Sequence, residues 1–199
     1  MTGLKSEEDG KSSVKKLLDY LKKAVDSYNN ECKCLDNENA VVSDFNIVLI
    51  NSDYYIGYEI KRSELHQLLI NKYKIFSSYE PCIYPGVNSK FYWNEDYKDH
   101  PHPGKCYCTK SCNGKGIGKG DGNCKKITIS AFQSGSVIIT GARNIVQIKN
   151  AYNFINKIFK ENYEFLKKQN APFLDIEDKT PNVINTHIII YLKKSNIKN

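Results

Sequence analysis

The sequence lacks any apolar run of the roughly 18–20 residues that a membrane-spanning helix requires. Its first twenty residues are charged rather than apolar, so they do not have the pattern of a secretory signal peptide. These two absences predict a soluble, intracellular protein with no membrane partner.

Motifs that carry catalytic chemistry are also missing. No Ser/His/Asp or Cys/His set accompanies a recognisable motif, and the carboxylates lie mostly in charged stretches. Glycines alternate with lysines over 114–122, but no predicted strand precedes them and no helix follows, as a Walker or dinucleotide-binding loop would require. We therefore predict that the protein is not an enzyme and requires no cofactor.

The composition favours a globular protein with an acidic partner. The chain has 199 residues, of which 40% are hydrophobic, a fraction too high for a disordered protein. Its net charge is +7 and its sequence pI is about 8.9. Nucleic acid is the commonest partner of basic proteins, and the alternative is a surface of solvated lysines.

Periodicity predicts a mixture of helices and antiparallel strands. The predicted helices are 13–29, 63–71 and 144–168, and the predicted strands are 44–51, 82–93, 126–133 and 136–141. Residues 54–60 form a separate extended or helical piece, and Ser134-Gly135 predicts a hairpin turn between the last two strands. Asn144, followed three residues later by Gln147, is a suitable N-cap for the last helix.

Two motifs resemble the TATA-box-binding protein family. The first is FSSYEP followed by YPG at residues 76–86, and the second is AFQSG followed by VIITGAR at residues 131–143. Residues 1–8 (MTGLKSEE) are similar to the segment that closes the family's first repeat and begins its long helix. We interpret the chain as a divergent member, of viral type, that holds all of the second repeat and little of the first.

The resemblance implies a division of the chain into five parts. The end of the first repeat occupies 1–30, a linker 31–43, the second repeat 44–170, an insertion within it 94–125, and a tail 171–199. It also implies an α+β fold in which a curved antiparallel sheet carries helices on its convex face. The concave face of that sheet meets the minor groove of DNA in this family.

The function that the resemblance implies is that of a general transcription initiation factor that binds and bends A/T-rich promoter DNA. Its partners would be A/T-rich double-stranded DNA, other transcription initiation factors and the RNA polymerase machinery, in the nucleus or a cytoplasmic viral factory. The alternative is a protein-interaction module of a viral transcription complex, with little sequence-specific DNA binding.

The resemblance also assigns residues to the DNA contact. Tyr84, stiffened by Pro85, and Phe132 would be apolar wedges between base pairs, although an ordinary core aromatic is the alternative for Phe132. The remaining positions are groove-facing strand residues and phosphate-contacting cations: Leu49, Asn51, Ile138, Thr140, Lys90 and Arg143. Asn51 is displaced by two residues from the family's asparagine, and its alternative is a turn with Ser52-Asp53. Lys61 and Arg62 are further candidates for phosphate contact, with solvated surface charge as the alternative.

Four cysteines cluster within the insertion, at Cys106, Cys108, Cys112 and Cys124, and His100 and His102 lie just upstream. Four thiolates suffice for a tetrahedral structural zinc site, which would clip a long polar loop. Unpaired reduced thiols are the alternative, because the Cys-x-Cys spacing differs from the usual CxxC pairs and seven cysteines in an intracellular chain argue against a disulfide framework.

Overall fold

The computed structural model describes residues 1, 3–27, 40–42, 45–168 and 185–190. The chain divides into two compact units. One comprises Met1–Val48 and His187–Asn199, and the other comprises Leu49–Thr186. Among the described residues, no helix combines the length and the apolar character needed to cross a membrane.

The first unit contains helix α1, Glu7–Ser27. The helix begins six residues earlier than the hydrophobic stripe predicted, because the Ser6 hydroxyl accepts a hydrogen bond from the Asp9 amide at 3.1 Å. Three acidic residues in its first turn stabilise the helix by interacting with the positive end of its dipole. Lys11 lies 5.4 Å above the ring of Phe45, within the same unit.

The strands of the structure are β1 (Ile47–Tyr55), β2 (Ser77–Ser78), β3 (Val87–Trp93), β4 (Lys125–Ala131), β5 (Ser136–Ala142) and β6 (Asn185–Ile190). In the second unit the strands lie in the order β2-β3-β4-β5-β1, and every pair is antiparallel. A change of register between Ile50 and Ser52 marks a bulge in the β1–β5 pair.

Three helices accompany this sheet: α2 (Arg62–Asn71), α3 (Ile145–Glu161) and α4 (Tyr163–Leu166). The core forms between the sheet and these helices, and its sheet residues alternate with less buried ones. The buried residues include Val87, Phe91, Ile127, Ile129, Val137 and Ile139 from the strands and Leu65, Leu69, Ile148, Ile155 and Phe159 from the helices. The predicted α+β class, an antiparallel sheet with helices, is confirmed.

Three element boundaries differ from the predictions. Residues 54–60 do not form a separate piece, because β1 continues to Tyr55. Strand β3 starts at Val87 rather than at residue 82, since the amides of Ile83 and Tyr84 bond to the Glu80 carbonyl in a turn. The helix predicted to reach residue 168 ends at Glu161, and a short separate helix follows it.

Candidate functional site

Among the described residues of the second unit, the helices pack against one surface of the sheet, and we call the opposite surface the open face. Cross-strand partners in an antiparallel pair point to the same side, so the register defines the rows of this face. One row consists of Asn88, Ser130, Ile138 and Asp53, and a second row consists of Lys90, Thr128 and Thr140. Ile138 and Thr140 therefore share a face, as predicted from their spacing.

Strand β1 adds Leu49 and Asn51 to the open face. Ile50 and Ser52 are buried against the other side, and side chains alternate along a strand. The alternative of a turn at Asn51 is wrong, since this residue lies within β1. The Asn51 Oδ1 atom is buried and accepts no hydrogen bond from any described residue. An unsatisfied buried acceptor costs about 1–3 kcal/mol, so it is uncommon outside functional sites.

Two aromatic rings project together at one end of the open face. Tyr84 precedes β3 and Phe132 follows β4, and their ring centroids lie 5.7 Å apart at an angle of 56°. Gly86 lies beneath them: a β-carbon there would come within 2.7 Å of the Tyr84 ring and 3.1 Å of the Phe132 ring. Both residues are only partly buried.

Arg62 holds the two segments that carry these rings. Its guanidinium donates to the carbonyl of Pro85 and, at 3.2 Å, to Oε1 of Gln133. It also lies 5.3 Å above the ring of Tyr79. Sequence reasoning assigned Arg62 to the surface or to a phosphate contact, because its two acceptors lie 23 and 71 residues away along the chain. Only the folded structure reveals this role.

The hydroxyl groups in the middle of the open face are already hydrogen-bonded within the protein. Ser130 Oγ donates to Asn88 Oδ1 at 2.6 Å, and Lys90 Nζ donates to Thr128 Oγ1 at 2.8 Å. Polar side chains of strands β3 and β4 thus form hydrogen bonds with each other across the open face. The Ser130 hydroxyl therefore has no free proton for a ligand, whereas the Thr128 hydroxyl, which accepts from Lys90, can still donate one.

Positive charges are crowded at the end of the sheet farthest from the ring pair. Burial, and next the nearby charge of Lys126, lower the pKa of Lys90 below its ordinary value. Burial, and next the charge of Arg143, lower the pKa of Lys125. Among the described residues Arg143 has no carboxylate partner, and its Nε atom is buried without an acceptor. An anion placed here would relieve the repulsion.

The insertion brings its four cysteines together. The sulfur atoms of Cys106, Cys108, Cys112 and Cys124 all lie within 4.8 Å of one another. The Sγ atoms of Cys108 and Cys124 are 3.3 Å apart, and those of Cys106 and Cys124 are 3.6 Å apart. Burial raises the pKa of the Cys124 thiol.

The two histidines that precede the cluster are engaged elsewhere. The ring of His100 lies 3.9 Å from that of Tyr107, and its Nδ1 accepts a hydrogen bond from the amide of His102. In the described part of the chain, neither belongs to the group of side chains that could share a metal ion with the cysteines.

Comparison with known proteins agrees with this architecture. The family model described as transcription factor TFIID, or TATA-binding protein (TBP), matches residues 44–162. A protein of Acanthamoeba polyphaga mimivirus named "TATA-box-binding protein-like" is 31% identical over 204 residues. The similarity covers 100% of this chain and 48% of that protein, so the chain spans about half the length of its relative. Together the two matches confirm the resemblance and the viral type predicted from the sequence.

Proposed function

The chain belongs to the TATA-binding protein family, and on that premise we propose that it acts in transcription initiation by binding and bending A/T-rich duplex DNA. The open face of the second unit would lie on the minor groove. The observation that carries this proposal is the ring pair, Tyr84 and Phe132, which lies at one end of the open face.

The chemistry of the open face fits the minor groove better than the major groove. The minor groove displays acceptors in A·T pairs and adds the amino group of guanine in G·C pairs, so it offers few distinguishing contacts. Leu49 and Ile138 supply apolar contact on the two neighbouring strands β1 and β5. Asn51 supplies one amide, which donates to adenine N3 or thymine O2 when its Nδ2 atom faces the groove.

Insertion of the ring pair between base pairs would bend the duplex. Apolar side chains inserted between base pairs unstack them and bend the DNA toward the major groove. Such wedges need rigid support, because a mobile ring would lose conformational entropy on insertion. Pro85, the close packing over Gly86, and the guanidinium of Arg62 all restrict the Tyr84 segment.

Phosphate contacts would position the duplex without reading its sequence. Lys90 and Arg143 lie where cations are crowded and poorly compensated, which favours an anion. The exposed carboxylate of Asp53, which lies on the same row as Ile138, would instead repel phosphate. The open face is therefore selective about where the phosphate backbone passes.

The test replaces each ring and measures bending. In end-labelled A/T-rich and G/C-rich duplexes of equal length, Tyr84→Ala and Phe132→Ala should abolish the energy-transfer change that reports bending. Affinity should fall at least about tenfold, since the inserted rings offset an unstacking cost of a few kcal/mol per step. Tyr84→Phe should retain bending.

The matched control is Phe165→Ala, which removes an exposed aromatic ring from helix α4. This variant should bind and bend DNA as the unmodified chain does. Unchanged bending by the Tyr84→Ala and Phe132→Ala variants, or equal affinity for A/T-rich and G/C-rich duplexes, would contradict the proposal.

A second candidate function is docking of transcription proteins, and a cleft beside the insertion favours it. The cleft has a volume of about 510 Å³ and lies between the insertion and helix α3. Tyr97 and Phe154 supply aromatic walls, and Lys72, Lys105 and Lys157 surround them with positive charge. An acidic segment of an initiation factor or of RNA polymerase fits this chemistry. Under this alternative, the Tyr84→Ala and Phe132→Ala variants keep full partner binding, and Lys105→Glu loses it.

A further inference from the structure

The four cysteines of the insertion have the geometry of a closed tetrahedral site. Zinc binds thiolate sulfur at about 2.3 Å, which places the four sulfurs of a regular tetrahedron about 3.8 Å apart. The two measured contacts, 3.3 Å and 3.6 Å, are slightly shorter, and all pairs lie within 4.8 Å. Shifts of a few tenths of an ångström in the side chains would complete the polyhedron.

We propose that Cys106, Cys108, Cys112 and Cys124 bind one structural zinc ion as thiolates. Four sulfur ligands leave no open position, so this ion has no catalytic role. The zinc test does not depend on DNA binding, because the four cysteines lie in the insertion and the ring pair lies outside it.

Backbone groups lie close to two of the sulfur atoms. The backbone of Cys108 lies near the sulfur of Cys106, and the backbone of Gly122 lies near the sulfur of Cys108. The φ of Gly122 is positive, 77°, a backbone conformation that glycine adopts readily. Hydrogen-bond donors stabilise such thiolates, because a zinc ion with four of them carries a net charge of about −2.

Asn94 adds a side-chain donor from outside the cysteine cluster. Its Nδ2 atom lies 3.7 Å from the sulfur of Cys124 and 3.9 Å from that of Cys108, and it also donates to the carbonyl of Gly120 at 2.9 Å. Its Oδ1 atom accepts from the amide of Asp96 at 3.0 Å. Asn94 is buried, so these contacts are fixed.

The position of the cluster explains what a zinc ion would achieve. Asn94 directly follows β3 and Cys124 directly precedes β4. A zinc ion would therefore link the insertion to the end of β3, through the contact with Asn94, and to the start of β4, through Cys124. The insertion has one 3-10 turn, Glu95–Tyr97, and no helix or long strand, so a cross-link supplies order that its backbone pairing does not.

A disulfide is the competing chemistry, because Cys108 and Cys124 are close enough to pair after oxidation. A disulfide accounts for two cysteines, however, whereas all four converge on one point. The two possibilities differ in what releases the thiols: a chelator frees zinc-bound thiolates, and only a reductant frees a disulfide.

The first experiment uses the complete chain expressed with zinc in the medium. Elemental analysis should find one zinc per chain. Of the seven cysteines, four should resist alkylation by N-ethylmaleimide until a strong chelator is added, with no reductant present. Absence of zinc, iron in its place, or protection that only a reductant removes would overturn the proposal.

The second experiment replaces zinc by cobalt in the unmodified chain, so it does not depend on the folding of any variant. Tetrahedral thiolate ligation should give an intense visible spectrum together with sulfur-to-cobalt charge transfer, and one equivalent should saturate it. Weak bands, typical of octahedral oxygen ligation, would exclude the four-sulfur site.

Variants assign the ligands. Cys108→Ser and Cys112→Ser should each lower the zinc content of the purified chain, whereas Cys82→Ser, an exposed cysteine outside the cluster, should retain one zinc. Asn94→Asp keeps the acceptor for the Asp96 amide but loses the donor to sulfur, so zinc should dissociate about 10–100-fold more readily. Equal zinc content in all four variants would contradict the assignment.

Discussion

Arg62 is the residue on which the geometry of the ring pair depends most directly. It is the first residue of α2, and its guanidinium donates to the backbone carbonyl of Pro85 and to the side-chain Oε1 of Gln133. One planar group bridges two acceptors in separate loops, an arrangement that suits the rigid, pre-organised fork of arginine better than the rotatable ammonium of lysine. The spacing between Tyr84 and Phe132 therefore depends on this guanidinium.

We expect Arg62→Lys to impair DNA bending although it preserves the charge. The flexible lysine side chain lacks the rigid fork that holds both acceptors, so the Tyr84 segment should gain freedom and affinity for A/T-rich duplex should fall about tenfold. Energy transfer and anisotropy on the same labelled duplex measure the two effects.

Gln133→Ala serves as the graded comparison, because it removes one of the two acceptors and should cause a smaller loss. Unaltered bending by Arg62→Lys would show that Gly86 and Pro85 alone fix the rings.

At the residue scale, the sequence singled out Tyr84 and Phe132 but not Arg62, which bonds to the segments that carry their rings. Tyr84 and Phe132 were identified because each stands in a short motif that resembles the family. Arg62 could not be assigned in this way, since its partners become neighbours only after β3, β4 and α2 pack together. The same reason hides the unsatisfied Oδ1 of Asn51, which depends on the bulged pairing of β1 with β5.

Helix α3 illustrates how local signals fix an element. Asn144 has an extended backbone, and its Oδ1 accepts from the amide of Gln147 at 2.9 Å. The side chain of Gln147 is buried and accepts in turn from the amide of Arg143 at 2.8 Å. The predicted N-cap is confirmed, and the reciprocal bonds tie the helix to the end of β5.

Replacing this cap should destabilise the protein measurably. We expect Asn144→Ala to lower the free energy of unfolding by about 1 kcal/mol, the usual cost of losing an N-cap acceptor. Urea unfolding followed by circular dichroism gives this quantity from the shift of the midpoint.

Asn150→Ala is the control, because Asn150 lies inside α3 and bonds only to the carbonyl of Val146. Alanine has the higher helix propensity there, so stability should stay the same or rise slightly. A cap variant no less stable than this control would show that Gln147 alone maintains the helix start.

Element boundaries were predicted well where the signal was local and poorly where it was not. The hairpin of β4 and β5 follows from alternation around Ser134-Gly135, and Gly135 is required because a β-carbon there would lie 2.2 Å from the Tyr58 carbonyl. Strand β2 was not predicted, because two residues are too few to show an alternating pattern. It is defined by its pairing with Ser89 and Asn88 of β3. Most of the predicted linker 31–43 and of the predicted tail 171–199 lies outside the described residues, and the five-part division of the chain stays a prediction.

For the molecule as a whole, the net charge of +7 is a weaker guide than the placement of individual cations. Many of the 29 basic residues are exposed and solvated, and such charges contribute little to a specific complex. Lys90 differs, because burial and Lys126 lower its pKa and its ammonium lies on the open face. Under the proposed function, the density of uncompensated charge, rather than the total, would determine where phosphate binds.

The salt dependence of DNA binding should separate these two kinds of cation. Lys90→Gln should reduce the slope of log K against log salt concentration by about 0.9, the value for one phosphate contact. The loss should be similar for A/T-rich and G/C-rich duplexes, because phosphate contacts carry no base information.

Lys149→Gln removes an exposed lysine from α3 and should leave the slope unchanged. If both variants alter the slope equally, the attraction is a property of the total charge and not of the open face.

The bridge made by Arg62 also has a thermodynamic consequence. Because α2 and the ring-bearing loops share one guanidinium, a ligand that shifts the start of α2 must change the free energy of inserting the rings. Coupling between two binding events is reciprocal, so under the proposed function bent DNA would alter, by the same factor, the affinity of a partner that shifts the start of α2. A single side chain would then make the two binding events cooperative, even though the two ligands never touch.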